Sequence, residues 1–180
     1  MEFKITEEEL EKTVKKLAND IFIYLKERKI DTIYFIIILT SSFVFAADLM
    51  RELSRLGIKL RSDTIRAKSY KGKESGDLDI KVDDFLKIDL NNKNILIVDD
   101  ILDTGETIYH VREHIVNLYN PNMLEFCCLL NKIHKRRTKD VYVRFLGINI
   151  PDKFIVGYGL DFNGKYRELP YITTIDQIEE

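Results

Sequence analysis

The chain has 180 residues, 45% of them hydrophobic and 32% charged, which suits one globular unit with a proper core and excludes a disordered polymer. A formal net charge of −2 excludes a globally basic protein, so attraction to a polyanion must come from local cations, backbone amides or a metal. The longest apolar run, residues 33–39, is far short of the roughly 20 residues that cross a bilayer, and the charged N-terminus has no signal-peptide core, so the expected compartment is the cytoplasm, with no membrane partner.

In chain order, Thr6 followed by Glu9 reads as a capping box, and Leu10, Val14, Leu17, Ile21 and Leu25 recur at helical spacing, which predicts an amphipathic helix over 7–27. Residues 33–39 read as a strand buried on both faces. Thr40, Ser41 and Ser42 break it, residues 43–56 return to helical spacing, and 58–67 form a less regular strand. Residues 68–77, polar and carrying two glycines, predict a long mobile loop. A buried strand over 94–98 and a helix over 104–119 follow, then strands over 123–130, 142–148 and 154–158. Strands alternating with helices, and apolar rather than alternating in pattern, predict an α/β fold with a mostly parallel sheet flanked by helices. The segment from about residue 131 onward, richer in aromatics and turn residues, is expected to add a small lobe beside the sheet.

Most of the chemistry lies in NILIVDDILDTGETI. Four apolar residues, 95–98, run into Asp99 and Asp100, and after two apolar residues come Asp103, Thr104, Gly105, Glu106 and Thr107, which open a helix. In open parallel sheets ligands sit beyond the carboxyl ends of the strands. Gly105 lets the backbone curl, and successive N–H groups with a helix N-terminus make an anion cradle to which the two threonine hydroxyls add donors. The acids suit ribose hydroxyls or a divalent cation. Because neighbouring strand residues face opposite ways, Asp99 and Asp100 are expected to share a ligand only where the strand has ended. The plainer structural reading is that Asp103 caps the helix and the acid pair caps a strand.

This stretch closely resembles the phosphoribosyl-pyrophosphate motif of the type I phosphoribosyltransferases, and the resemblance runs over nearly the whole chain, narrowing to the hypoxanthine-guanine branch. It implies one phosphoribosyltransferase unit, residues 1–180, with a core of about 30–130 and a hood mainly from 131–180. It implies that Asp99 and Asp100 hold the ribose hydroxyls, that 103–107 hold the 5′-phosphate, and that Asp103 accepts a proton near N7 of the purine. By the same resemblance Lys132 reaches the purine 6-oxo group, Phe154 stacks on the base and Ile155 offers it backbone contacts. Asp161 resembles the magnesium ligand, Arg167 approaches pyrophosphate, and Ser69 and Tyr70 open a lid over it. The loop after the first sheet strand, which in the family binds pyrophosphate across a non-proline cis bond, departs from the usual pattern. Thr40 and Ser41 stand where lysine and glycine are usual, so hydroxyls replace a positive charge. The implied activity joins a 6-oxo purine to the donor with Mg2+, in a homodimer or homotetramer.

Other signals are weaker. His110 to His114 fits an H-x-x-E-H zinc pattern but reads better as a solvated helix face, with no evident role for His134. The basic run 132–137 reads as a solvated turn rather than a nucleic-acid patch, and adjacent Cys127 and Cys128 as buried packing residues. No Walker loop is present, and Gly157-x-Gly159 lacks the third glycine of a dinucleotide site. The rival class is a non-catalytic regulator that keeps this fold and binds nucleic acid, which would carry a broad basic face or an added segment.

Overall fold

A computed structural model describes residues 3–71, 78–83, 86–133 and 138–177. Its main sheet has six strands: β2 (Thr32–Leu39), β3 (Lys59–Lys71), β4 (Leu78–Asp83), β5 (Asn94–Leu102), β6 (Met123–Lys132) and β7 (Phe145–Ile150). They lie in the order β4-β3-β2-β5-β6-β7, and every neighbouring pair is parallel except the edge pair β3–β4. Chain order runs outward in one direction from β2 to β3 and in the other from β5 to β7. The reversal falls between β2 and β5, and the crevice at their carboxyl ends is where such sheets bind ligands.

Side-chain alternation divides the core between two faces. Ile33, Phe35 and Ile37 of β2, with Leu96 and Val98 of β5, pack against α1 (Glu7–Glu27) and α2 (Phe43–Arg55). Ile36 and Ile38, with Ile95 and Ile97, pack against α3 (Glu106–Leu118) through Ile108, Val111 and Ile115. Full burial of each such side chain stabilises the fold by roughly 1.5–3 kcal/mol. Cys127 and Cys128 are buried and not joined in a disulfide, one in each layer, as packing residues should be. The capping box forms as read: the Thr6 N–H donates to Glu9 Oε2 at 2.8 Å and the Glu9 N–H to Thr6 Oγ1 at 3.3 Å. No helix among the described residues is long and apolar enough to cross a membrane.

A second sheet, β1-β9-β8, joins β1 (Lys4–Ile5), β9 (Ile172–Thr174) and β8 (Ile155–Val156), so the N-terminus takes part in a layer built mainly from the end of the chain. Such short pairings leave no periodic trace in sequence.

Three expectations need correction. The segment read as a mobile loop from residue 68 begins as strand: β3 continues to Lys71 and pairs antiparallel with β4, where Leu78, Ile80 and Val82 alternate with polar residues in the pattern of a half-buried strand, a signal the sequence reading passed over. Residues 72–77, the rest of that loop, lie outside the described residues. β5 does not end before the acid pair; it runs on to Leu102. β7 starts at Phe145 rather than at 142, because Tyr142 is exposed and the Arg144 Nε turns away to bond Glu125 Oε1 at 2.8 Å.

Candidate active site

A cavity of about 340 Å3 opens at the carboxyl ends of β2 and β5. Its lining brings together Ser41, Asp99, Asp100, Asp103, Thr104, Gly105, Thr107, Lys132, Phe154, Ile155 and Asp161, drawn from four elements and the turns between them.

Asp99 and Asp100 are each only 5% exposed, so this is a buried acid pair. Each folds back along the strand: Asp99 Oδ1 accepts the Asp100 N–H at 3.0 Å, and Asp100 Oδ1 accepts the Ile101 N–H at 2.9 Å. That curl, and not a strand end, lets successive residues line one cavity. Burial first, and then the charge of Asp100 beside it, pushes the Asp99 carboxyl well above the ordinary carboxylate range. A pair in this state favours a ligand that brings hydroxyl donors or positive charge.

The next turn is held by its own backbone. Gly105 is the N-cap of α3 at φ +89, a conformation open to glycine, and a Cβ there would lie 2.7 Å from the Lys139 carbonyl oxygen. So Gly105, rather than Asp103, caps the helix. The Thr104 carbonyl accepts the N–H groups of Thr138 at 3.0 Å and Lys139 at 3.2 Å, which strap the turn from outside. Glu106 faces away from the cavity: Oε1 accepts the Thr138 hydroxyl at 2.5 Å, and Oε2 lies 3.3 Å from His110 Nε2. Its contribution to an anion cradle is therefore its backbone. The Glu106–His110 pair also accounts for one histidine of the zinc-like pattern; His134 lies outside the described residues.

At the end of β6, Lys132 has a side chain only 11% exposed, with Nζ 3.1 Å from Asp103 Oδ2 and 3.8 Å from Asp152 Oδ1. Phe154 is exposed and meets Phe162 edge-on, with centroids 5.6 Å apart and planes at 82°. Ile155 is buried and fixed by pairing with Thr174. Asp161 Oδ1 meets Arg167 Nη2 at 2.8 Å, and its Oδ2 accepts the Gly164 N–H at 2.8 Å. Arg167 itself lines a separate cavity of about 740 Å3 between α1 and α2, and reaches the first only through Asp161.

In the loop after β2, the Leu39–Thr40 peptide is cis, the form the resemblance implies for this position. Thr40 is exposed, Ser41 lines the cavity, and the Ser42 hydroxyl is buried and donates to the Ile38 carbonyl. Ser69 and Tyr70 lie on β3 by their backbone; their side chains are outside what the structure describes.

Sequence reasoning missed Asp152, Ser42 and Gly159. Asp152 stands two residues before Phe154, and its carboxylate was the available signal. Gly159 was weighed only as part of a dinucleotide pattern, whereas its role is to let the backbone lie against Ser41.

Among the described residues, no cluster of three or more His, Cys, Asp or Glu could hold a metal alone. Magnesium takes only one or two carboxylates, completing its shell with water and substrate phosphates, so a single cavity-facing carboxylate such as Asp161 suits it.

A family model described as the phosphoribosyl transferase domain matches residues 4–163. The chain is 38% identical over 180 residues to the hypoxanthine phosphoribosyltransferase of Escherichia coli strain K12, covering all of this chain and 98% of that protein. Among solved structures, a hypoxanthine-guanine phosphoribosyltransferase from Bacillus anthracis superposes with a TM-score of 0.82 at 37% identity, covering 97% of each chain. The hypoxanthine phosphoribosyl transferase of Trypanosoma cruzi gives a TM-score of 0.86 at 28% identity, covering 99% of this chain and 93% of that one.

Proposed function

The chain belongs to the phosphoribosyl transferase family, and on that premise we propose that it serves purine salvage. It transfers the 5-phosphoribosyl group of phosphoribosyl pyrophosphate to N9 of hypoxanthine or guanine, giving IMP or GMP and pyrophosphate. The observation that carries this reading is Lys132 and Asp103 meeting at 3.1 Å in the cavity that also holds the acid pair and the Gly105 turn.

Each residue then has a task. The backbone amides of 104–107 and the threonine hydroxyls hold the 5′-phosphate at the N-terminus of α3, where the helix dipole favours negative charge. Asp99 and Asp100 accept the ribose 2′- and 3′-hydroxyls, which relieves their mutual repulsion. Phe154 covers one face of the base, and the Ile155 backbone meets its edge. Lys132 donates to the 6-oxo oxygen; an adenine amino group there would face an ammonium with no acceptor, a mismatch that a buried site rejects strongly.

As C1′ moves from pyrophosphate to N9, carbocation-like charge develops at C1′, much as in glycoside hydrolysis. Asp103 accepts the proton from N7 of the purine, a contribution of roughly 10²–10⁴ in rate. Lys132, between Asp103 and Asp152, keeps a carboxylate neighbour when Asp103 is neutralised. Ser41 and Thr40 take the pyrophosphate end, and Arg167, in the neighbouring cavity, acts on it through Asp161. Asp161 would hold Mg2+, directly or through water, and the ion would there supply positive charge for the leaving pyrophosphate. By the family resemblance Ser69 and Tyr70, on β3, belong to a lid that keeps water out. The whole chain works as one unit, its core extended beyond the expected 30–130 by α1 and β7, in a cytoplasmic homodimer or homotetramer.

The test is incubation of phosphoribosyl pyrophosphate with hypoxanthine, guanine, xanthine and adenine, with and without magnesium, and chromatography of the nucleotides. Nucleotide from hypoxanthine or guanine that requires magnesium supports the reading. None from any 6-oxo purine defeats it.

A further inference from the structure

Tyr158 stands outside the catalytic cavity in a conformation that needs support. Its φ is +51, in the left-handed region, a strained conformation for a residue other than glycine that persists only where its surroundings hold it there. Two bonds do so: its N–H donates to the Leu169 carbonyl at 2.9 Å, and its hydroxyl donates to Asp48 Oδ2 at 2.5 Å, across 110 residues of sequence. The phenol is 9% exposed, and burial together with the Asp48 carboxylate keeps it protonated.

Both ends of this contact lead to the pyrophosphate end of the site. Asp48 lies on α2, which begins at Phe43 directly after the Leu39–Thr40 cis bond and Ser41. Next to Tyr158, Gly159 is so close to the loop that a Cβ would sit 2.2 Å from the Ser41 carbonyl oxygen. The Gly159 carbonyl accepts Arg167 Nη1 at 2.6 Å, while Arg167 Nη2 holds Asp161 at 2.8 Å. One turn, 157–161, thus touches the loop after β2 and carries Asp161, a residue of the cavity lining. Asp48 also pairs with Arg51, one turn along α2, so it stays in place without occupying the catalytic cavity.

We infer that Tyr158, through its hydroxyl bond to Asp48, is a positioning residue that holds the 157–161 turn against the loop at 39–42 and so sets the donor's pyrophosphate subsite. The inference rests on the function proposed above and adds to it a residue that touches no substrate. Loss of the bond lets the turn and loop separate, which loosens the pyrophosphate end and leaves the purine end, built on β6 and β8, in place.

The experiment is steady-state kinetics of the full chain with hypoxanthine and phosphoribosyl pyrophosphate varied separately, for wild type, Tyr158→Phe, Asp48→Ala, Asp48→Asn and the Tyr158→Phe/Asp48→Ala double variant. Removing a hydrogen bond to a charged group should raise KM for the donor about tenfold in Tyr158→Phe and Asp48→Ala, with KM for hypoxanthine changed less than about twofold. Asp48→Asn, whose amide oxygen still accepts the hydroxyl, should recover most of the loss, and the double variant should be no worse than the poorer single. Should Tyr158→Phe fail to fold, the contrast between Asp48→Ala and Asp48→Asn decides. An unchanged donor KM, an equal rise in both KM values, or an additive double variant overturns the positioning role while leaving the activity standing. A wild-type chain that makes no nucleotide overturns the proposed function, and this inference falls with it.

Discussion

Residues 99–107 enter the cavity from a strand packed on both faces, whereas Phe154 and Asp161 reach it from turns of a sheet whose register pairings are two residues long. On the first side the polar groups are set by the backbone: the acid pair curls onto its own N–H groups, and Gly105 sits against the Lys139 carbonyl. On the second side they lean on other side chains, Phe154 on Phe162 and Asp161 on Arg167, with one backbone bond from the Gly164 N–H to Asp161. A site with one wall fixed and one assembled from side-chain contacts can hold the phosphate and ribose rigidly while the base enters and the nucleotide leaves. Changes to the first wall should therefore act on donor binding, turnover or folding, and changes to the second on affinity for the base.

The largest effect expected is at Asp103, where the walls meet. Asp103→Asn keeps the size of the side chain and loses the proton acceptor, so kcat should fall by roughly 10²–10⁴ while donor binding, read by calorimetry, changes little. Near-normal turnover would remove Asp103 from the chemistry. On the fixed wall, Gly105→Ala forces a Cβ toward the Lys139 carbonyl at φ +89, a strain of about 1–3 kcal/mol. KM for phosphoribosyl pyrophosphate should rise at least about tenfold, with the melting temperature falling about 2–4 °C per kcal/mol. On the assembled wall, Phe154→Ala removes an exposed ring from the base and should raise KM for hypoxanthine about tenfold without lowering the melting temperature.

How far these walls could be read from sequence follows from the same difference. The strand ending in two acids, the glycine turn and the helix announce themselves, because buried strands are apolar runs and a left-handed turn calls for glycine at a fixed place. The extension of β5 past Asp99 was not legible, since side-chain hydrogen bonds to the following N–H groups have no periodic signature. On the assembled wall Lys132, Phe154 and Asp161 were identifiable as residue types by resemblance, but their geometry was not. The ties of Asp161 to Arg167 and of Gly159 to Ser41 cross long stretches of chain or depend on positive φ angles within the 157–166 turns. Strand β4 was legible in the alternation of Leu78, Ile80 and Val82 with Asp79, Lys81 and Asp83, a pattern the polar, glycine-bearing stretch before it obscured.

The smallest expected effect concerns stability and runs against function. Asp99 binds a proton more readily in the folded chain than in the unfolded one, because burial and Asp100 disfavour its charge. Its raised folded value means that this group's contribution to stability is present at low pH and is withdrawn as pH climbs from the ordinary aspartate range through the folded value. At neutral pH it is a liability in the unliganded protein. Asp99→Asn should therefore raise the melting temperature at pH 7 by a few degrees, on the scale of about 2–4 °C per kcal/mol, while weakening donor binding. The gain should shrink as pH is lowered toward 4. A variant less stable than wild type at pH 7 would show that the acid pair is not strained.

The most direct test of the account is the ratio of kcat/KM for hypoxanthine to kcat/KM for adenine, measured with phosphoribosyl pyrophosphate and magnesium in the wild type and in Lys132→Ala. Lys132 Nζ, 3.1 Å from Asp103 and largely buried, predicts strong preference for hypoxanthine in the wild type, on the order of 10⁴, and its collapse toward unity in the variant. A wild type that does not discriminate, or a variant that keeps the wild-type ratio, would contradict the assignment of this cavity to a 6-oxo purine.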